Sequence, residues 1–356
     1  MLAAVLLMAP PLVTAPARAT PAPAARPAGP GPLPPQKTHF DVQAHRGGLG
    51  LTTESTLEGF AKALRLGVTT LELDTQITKD LKVVVTHDRK VSAEKCRDTG
   101  PVTPGDPMYP YVGAYVKDLT LDRIRTLDCG YRRLPGFPEQ ERIAGARMVE
   151  LKDVLGLVKE FRAHGVTLNI ETKVEAGAPE QTAPRGLFVR RVHEEIHASG
   201  IGRQVTIQSF DWGALKEMHR IAPEYPLVAL TNHDFLQVGR PGASPWLGGI
   251  DVDDHGGDFV AAAATVPGLT ALSPVYGFPQ NGTVGDPDFR FYVSPRMVAA
   301  AHARGLRVVP WTCDDPATMD ALIGMGVDGL ITDHPDRLRR VMAERGMRLP
   351  KAYGHR

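Results

Sequence analysis

The sequence predicts an α/β chain folded as a (β/α)8 TIM barrel, and three observations carry that prediction: short β-branched runs, amphipathic helical segments between most of them, and a count of eight such runs. The runs are FDVQAH, TTLELDT, VTLNIET, QVTIQSF, YPLVALT, LTALSPV, LRVVPWT and DGLITD. Val, Ile and Thr suit a pleated, half-buried surface. The intervening segments STLEGFAKALRLG, LKDVLGLVKEFRAHG, RGLFVRRVHEEIHASG, DWGALKEMHRIA, SPRMVAAAHARG and PATMDALIGMG repeat apolar residues at helical spacing. Strand and helix in alternation mean parallel strands joined by crossovers, and eight units favour a closed barrel over an open doubly wound sheet.

Along the chain, residues 1–19 are expected to be a signal peptide, an apolar run followed by small residues spaced as A-x-A at Ala15 to Ala17 or Ala17 to Ala19. The run is too short to span a bilayer. No Lys or Arg precedes it, which leaves the translation start open, and a loose Ala/Pro-rich tail is the alternative. Residues 20–37 read as a Pro/Ala-rich linker, 38–345 as the barrel domain and 346–356 as a C-terminal tail. Two places break the rhythm. Residues 89–148, rich in Gly, Pro, Tyr and Asp, are far too long for a simple connection and read as an insertion capping one rim after the second strand region. Between Asn232 and Val266, the stretch GGIDVDDHGGDF has room for a further strand.

The chain of 356 residues is 42% hydrophobic, enough for a sizeable core. Lys+Arg number 41 against 40 Asp+Glu, a net charge of +1 that excludes a nucleic-acid partner recruited by a basic surface. Any bound anion must be met locally. Of the three cysteines, Cys96 and Cys129 bracket one loop-rich segment and are expected to pair in a secreted or otherwise extracytoplasmic protein without a stable membrane anchor, leaving Cys313 as a lone thiol. Two buried free thiols are the alternative.

The chemistry begins at AHRGG, where His45 and Arg46 end the first apolar run ahead of Gly47 and Gly48. The glycines suit a tight turn with Ser55 or Thr56 capping the helix beyond, and an imidazole beside a guanidinium at a strand end equally suits a phosphate site. In TTLELDT, Glu72 and Asp74 lie two apart, so both carboxylates face one side of a strand. Buried there, they repel unless a cation joins them. Glu171 in NIETK adds a third carboxylate and Lys173 an ammonium to the same rim. Three acids with no Cys or His among them favour Ca²⁺ or Mg²⁺ over zinc. His87 closes KVVVTHD and supplies a second imidazole, so that one ring can act as base and the other as acid on a phosphate gripped by Arg46 and Lys173.

In order along the chain, AHRGG with the E-S-T that follows it, LELD, THD, ETK, QSF, WT and DGLITDHP resemble the motifs of the glycerophosphodiester phosphodiesterase family, over about residues 43 to 340. The resemblance implies a TIM barrel, a divalent metal and hydrolysis of a small-molecule glycerophosphodiester to glycerol 3-phosphate and an alcohol. It implies Glu72, Asp74 and Glu171 as metal ligands, with Glu54 at the mouth near metal or glycerol. His45 and His87 become the acid/base pair, Arg46 and Lys173 the phosphate contacts, and Gln208 and Trp311 pocket-lining positions, Trp311 with core packing as the alternative. Asp328 and Asp333 are expected to be structural, through turns and helix capping. Calcium is the first choice of metal because an exported protein meets it in abundance, with magnesium second. Two other readings stand beside this one, a sphingomyelinase D-like phospholipase forming a cyclic phosphate and a secreted phosphodiester-binding protein without turnover.

Overall fold

The computed structural model describes residues 39–354, so the expected signal peptide and Pro/Ala-rich linker lie outside the described residues. Eight parallel strands form the barrel: β1 Asp41–Ala44, β2 Thr70–Ile77, β3 Thr167–Thr172, β4 Val205–Ser209, β5 Leu227–Thr231, β6 Leu269–Pro274, β7 Arg307–Val308 and β8 Gly329–Thr332. Their hydrogen-bonded order runs in sequence from β1 to β7, with β8 on the other side of β1. The seam between β7 and β8 is irregular, and three backbone bonds cross it, from Asp328 N–H to Val308, from Ile331 N–H to Pro310 and from Cys313 N–H to Ile331. Each strand falls on one of the eight runs read from the sequence.

A helix follows each strand: α1 Leu57–Leu66, α2 Leu151–Glu160, α3 Arg185–Ser199, α4 Trp212–Ile221, α5 Phe259–Ala263, α6 Pro295–His302, α7 Pro316–Gly324 and α8 Pro335–Glu344. Their starts are set by side chains that accept first-turn N–H groups, Thr56 at α1, Asp211 at α4, Ser294 at α6 and Asp315 at α7. The strand residues turned outward, such as Val42, Leu71, Leu73, Leu168, Ile170 and Ile207, are fully buried against these helices. The tail beyond α8 is also ordered, since Tyr353 N–H donates to Leu64 and Arg339 donates to the Pro350 carbonyl. No helix among the described residues is long and apolar enough to cross a membrane.

GGIDVDDHGGDF does not hold the further strand. Asp251 accepts from Asp253 N–H and Asp258 from Val260 and Ala261 N–H, while Gly256 and Gly257 adopt positive φ, so the stretch folds as a 3-10 turn leading into α5. A second unexpected feature is the core of the insertion. The short strand Val83–Val85 returns antiparallel along the end of β2, and from it the chain enters a cap with an apolar cluster of its own, including Val91, Tyr111, Val116, Leu119, Ile124 and Leu127. Spaced irregularly among Gly, Pro and Asp, these residues carry no period by which the sequence could reveal them.

Cys96 and Cys129 form a disulfide across the cap, and Cys313 is free and buried. The cap is small relative to the barrel, so a cross-link contributing about 2–4 kcal/mol is a large part of its local stability. Non-reducing peptide mapping is expected to recover Cys96 and Cys129 in one linked pair, and Cys313 should react with a thiol reagent only after denaturation. Replacing both bridge cysteines by Ser should make residues 89–148 the first site of proteolytic nicking, whereas three thiols titrating in the denatured, unreduced protein would contradict the pairing.

Candidate active site

The site stands at the C-terminal ends of β1 to β4. Beyond β1 the chain turns sharply: Arg46 takes a left-handed conformation (φ 50, ψ 34), which costs a non-glycine residue on the order of 1–2 kcal/mol. The turn aims the Arg46 N–H at Glu72 Oε2, 3.0 Å away. Gly47 follows with φ +83 and a backbone so close to α1 that a Cβ would sit 3.0 Å from the Phe60 nitrogen, so glycine is required there.

Parallel register puts Asp74 beside Glu171, and Glu171 beside Gln208. Glu72, Asp74 and Glu171 are all buried inside the barrel mouth. The Val83–Val85 return, fixed by the Thr86 N–H bond to the Asp74 carbonyl, sets His87 directly beyond Asp74. His45, Glu72 and Asp74 each offer one ligand atom, all within 4.8 Å of one another, a group that could hold a metal ion. Asp74 Oδ2 is buried without a hydrogen bond; Arg46 Nε lies 3.0 Å from it but is not aimed at it. An oxygen-rich set with an orphaned carboxylate oxygen fits a hard divalent cation.

Charge in this cluster is unbalanced. Burial, with the Asp74 carboxylate beside it, pushes the Glu72 carboxyl up to about 7 against the pull of His45 and the Arg46 N–H. Burial likewise drives Glu171 well above the carboxylate range, helped by Asp74 and only partly opposed by Lys173. At Asp74 burial is overcome by Lys173 and Arg46, which hold it well below its usual value. Lys173 Nζ sits 3.2 Å from both Glu171 oxygens and 3.5 Å from Asp74 Oδ1.

Both histidines are oriented in the same way. His45 Nδ1 lies 2.5 Å from Asp333 Oδ1 and His87 Nδ1 lies 2.7 Å from Asp88 Oδ1, which leaves each Nε2 for chemistry. Burial and Arg46 pull the His45 pKa down, but Asp333 and Glu72 outweigh them and raise it. Burial, Lys173 and Arg46 lower His87 to about 4 despite Asp74 and Asp88.

These groups line an inner cavity of about 280 Å³, which also takes in Gln208, Phe210 and Trp311. It opens into an outer cleft of about 850 Å³. Along that cleft runs a chain of rings: Trp311 meets Phe210 edge to face at 5.3 Å, Phe210 meets Phe235 at 5.4 Å, and Phe235 stacks on Trp246 at 4.3 Å. The insertion lines the same cleft with Arg89, Lys90, Lys95 and Tyr115.

A loop-borne cleft above an acid and histidine cluster at barrel strand ends is the setting in which the comparisons with known proteins decide the family. The profile of the Glycerophosphoryl diester phosphodiesterase family matches residues 45–337. The chain belongs to that family. It is 27% identical over 307 residues to a glycerophosphodiester phosphodiesterase of Caldanaerobacter subterraneus subsp. tengcongensis, covering 86% of this chain and 98% of that one. Among solved structures it resembles a chain described as a glycerophosphoryl diester phosphodiesterase from Silicibacter pomeroyi DSS-3, with TM-score 0.70, 28% identity, and 88% and 96% of the two chains covered. It shares its fold with an Oleispira antarctica phosphodiesterase solved with the product sn-glycerol-3-phosphate, at TM-score 0.58 and 16% identity, over 87% and 97% of the chains.

Within this family member the expected residues His45, Arg46, Glu72, Asp74, His87, Glu171, Lys173, Gln208 and Trp311 all line the inner cavity. Two readings need correction. A histidine does join the acid cluster, because the turn after β1 folds His45 back over Glu72. Asp333 caps no helix; its carboxylate is spent on His45, and His334, at the N-cap of α8, makes no side-chain cap bond. Gln208 is already engaged, donating to Glu72 Oε1 at 2.5 Å and accepting from Asn169 at 2.7 Å, so it steadies a carboxylate. Glu54 is turned toward Arg46 and Lys95. Asp328 is structural as expected, accepting from Val308 N–H and paired with His302. Trp311 lies on the cavity wall, its indole N–H donating to the Ser273 carbonyl. Sequence reasoning missed Asp88, whose signal was its place directly after His87, and Phe235 and Trp246, which lie in the aperiodic stretch after β5.

Behind Asp333 sits Asp314, which accepts from Thr332 Oγ1 and Asp333 N–H and is pushed up to about 7 by burial, then by the Asp333 carboxylate. A carboxyl whose folded pKa lies above the ordinary value of about 4 takes up its proton on folding, so its favourable contribution fades as pH rises from about 4 to about 7. Asp314→Asn keeps both accepted bonds and removes that dependence. The melting temperature of the variant is expected to gain on the parent by several degrees between pH 4 and pH 8; an equal gap at both pH values would show that the Asp314 carboxyl titrates alike in the folded and unfolded chain.

Proposed function

We propose that this chain hydrolyses glycerophosphodiesters to glycerol 3-phosphate and an alcohol, with a divalent cation held by Glu72, Asp74 and Glu171 and the proton work divided between His45 and His87. The observation that carries the reading is the pair of carboxylate-oriented imidazoles on one cavity beside the three buried acids. Relatives named glycerophosphodiester phosphodiesterase and the neighbour solved with sn-glycerol-3-phosphate support the substrate class. A cation bound there supplies positive charge to the phosphoryl oxygens and relieves the repulsion among the acids.

Arg46 and Lys173 hold the remaining phosphate oxygens, the first as a planar fork and the second as a point charge. Water attacks phosphorus as the bond to the leaving oxygen breaks. One imidazole takes the water proton and the other gives a proton to the departing alkoxide, so the two rings exchange roles of charge over one turnover. A hydrolytic product is linear because the nucleophile comes from water and not from the substrate.

The reading includes export. A disulfide beside the site is supported by an oxidising compartment, and calcium is the cation abundant there. Exhaustive chelation is expected to abolish hydrolysis of glycerophosphocholine, with calcium restoring it better than magnesium, and Glu72→Ala, Asp74→Ala and Glu171→Ala should each be inactive. Full turnover after chelation would remove the cation from the proposal. His45→Ala and His87→Ala should each lower kcat by about a hundredfold or more. A substrate with a low-pKa leaving alcohol should rescue only the variant that has lost the acid, and phosphorus NMR should show glycerol 3-phosphate with no cyclic phosphate.

The outer cleft is assigned to the leaving alcohol because it joins the phosphate cavity through Phe210 and Trp311. A ring that contacts the leaving alcohol equally in the ground state and the transition state lowers KM without raising kcat. Trp246→Ala is therefore expected to raise KM severalfold for a bulky leaving alcohol, to leave kcat near the parent value, and to change neither constant for a methyl ester. A matching loss with the methyl ester would show that the ring supports the fold and not the ligand.

A further inference from the structure

The insertion reaches the catalytic groups through one side chain that no motif marks. Lys95 Nζ lies 2.9 Å from Glu54 Oε1 and 2.9 Å from Asp88 Oδ2. Each of these carboxylates spends its other oxygen on a group in the cavity: Glu54 Oε2 lies 3.2 Å from Arg46, and Asp88 Oδ1 lies 2.7 Å from His87 Nδ1. The result is a continuous run of contacts, Arg46 to Glu54 to Lys95 to Asp88 to His87. Lys95 is its centre and the only member that the cap contributes.

Its backbone is held independently of the site. Lys95 and Cys96 N–H both donate to the Ser92 carbonyl, Arg97 pairs with Asp128 through two backbone bonds, and the Cys96–Cys129 disulfide crosses between them. Without the ammonium, Glu54 and Asp88 would face one another across a half-buried gap with no shared cation. Like charges in that position separate or take up a proton, and either response frees one oxygen pair that now fixes Arg46 and His87.

The geometry points to Lys95 as a positioning residue that couples the cap to catalysis, setting the His87 ring through Asp88 and the Arg46 guanidinium through Glu54. The inference rests on the proposed roles of Arg46 and His87, since Lys95 acts only through them. It also gives the disulfide a functional meaning: the bridge next to Lys95 keeps the ammonium in reach of both carboxylates.

The test is a kinetic cycle on the calcium-loaded full chain with glycerophosphocholine, using Lys95→Met, Lys95→Arg, Asp88→Asn and the Lys95→Met/Asp88→Asn double variant, with melting temperature and far-UV circular dichroism as folding controls. A misplaced catalytic group typically loses about ten- to hundredfold. Lys95→Met is expected to lower kcat by about that much, and Lys95→Arg, whose fork can meet both carboxylates, should recover most of it. Because both substitutions act on one chain of contacts, the double variant should be little worse than the poorer single one. If Lys95→Met unfolds the cap, Lys95→Gln serves in its place, retaining polarity without charge. Parental kcat in the neutral variants, penalties that multiply in the double variant, or failure of Arg to recover activity at unchanged stability would each overturn the inference. His87→Ala run in parallel separates the two levels: if it is impaired while Lys95→Met is not, only the Lys95 assignment falls, and if His87→Ala retains parental activity, the functional reading falls with it.

Discussion

Three carboxylates crowd the mouth of one barrel, and the surrounding groups are arranged to hold them there. Glu72, Asp74 and Glu171 are each nearly or fully removed from water, where unpaired like charges are strongly unfavourable. The protein answers with Arg46 and Lys173, but two cations do not balance three acids, and the carboxyls respond unequally: Asp74 is held ionised while Glu72 and Glu171 are driven toward their protonated forms. A further divalent charge would let all three ionise together. The frustration that makes the cluster costly for folding is thus the same feature that suits it to a divalent cation.

Holding such a cluster requires an interior unlike an ordinary apolar barrel core. The inward side chains of β1 to β4, joined by Arg307 from β7, form a polar chain in which Arg307 meets Asp41, Gln43 donates to Asp41, Asn169 donates to Gln43 and Gln208, and Gln208 donates to Glu72. Thr206 completes Asn169 by donating to its carbonyl oxygen. Each amide both gives and receives, so the chain is satisfied along its length and fixes Glu72 from below while the Arg46 N–H fixes it from the side. Apolar packing lies on the outer faces of the same strands, where Leu71, Leu73, Leu168 and Ile170 meet the helices. Period two therefore separates two tasks on each strand, stability outward and placement inward.

That separation explains what the sequence disclosed. The outward residues and the helical stripes follow simple periods, and all eight strands with six of their helices were legible from them; α5 is too short and α8 too rich in charge to stand out. Glu72 and Asp74 were legible because two acids in an apolar strand violate its pattern, and Glu171 with Lys173 because they repeat that violation on the next strand. What stayed hidden depends on contacts between distant parts of the chain. Asp333 meets His45 across 288 positions, so its DHP context could be read only as a helix start. The cap cluster and the ring chain of Phe210, Phe235 and Trp246 are assembled from loops, where no period announces which side chains will converge.

The inner cavity and the outer cleft consequently differ in how they can change. The inner groups stand on strand ends, in register, with their carboxylates and rings tied to neighbouring strands, so a shift of one disturbs several. The outer walls come from separate segments, the rings from the loops after β4, β5 and β7 and the charged face from the cap after β2, and those segments can vary without moving phosphorus chemistry. His87 and Asp88 are the exception, because they stand where the barrel hands over to the cap. A histidine at that junction, with its partner carboxylate bonded to a cap lysine, and Glu54, which joins the same lysine to Arg46, are the points at which the insertion meets the groups of the inner cavity.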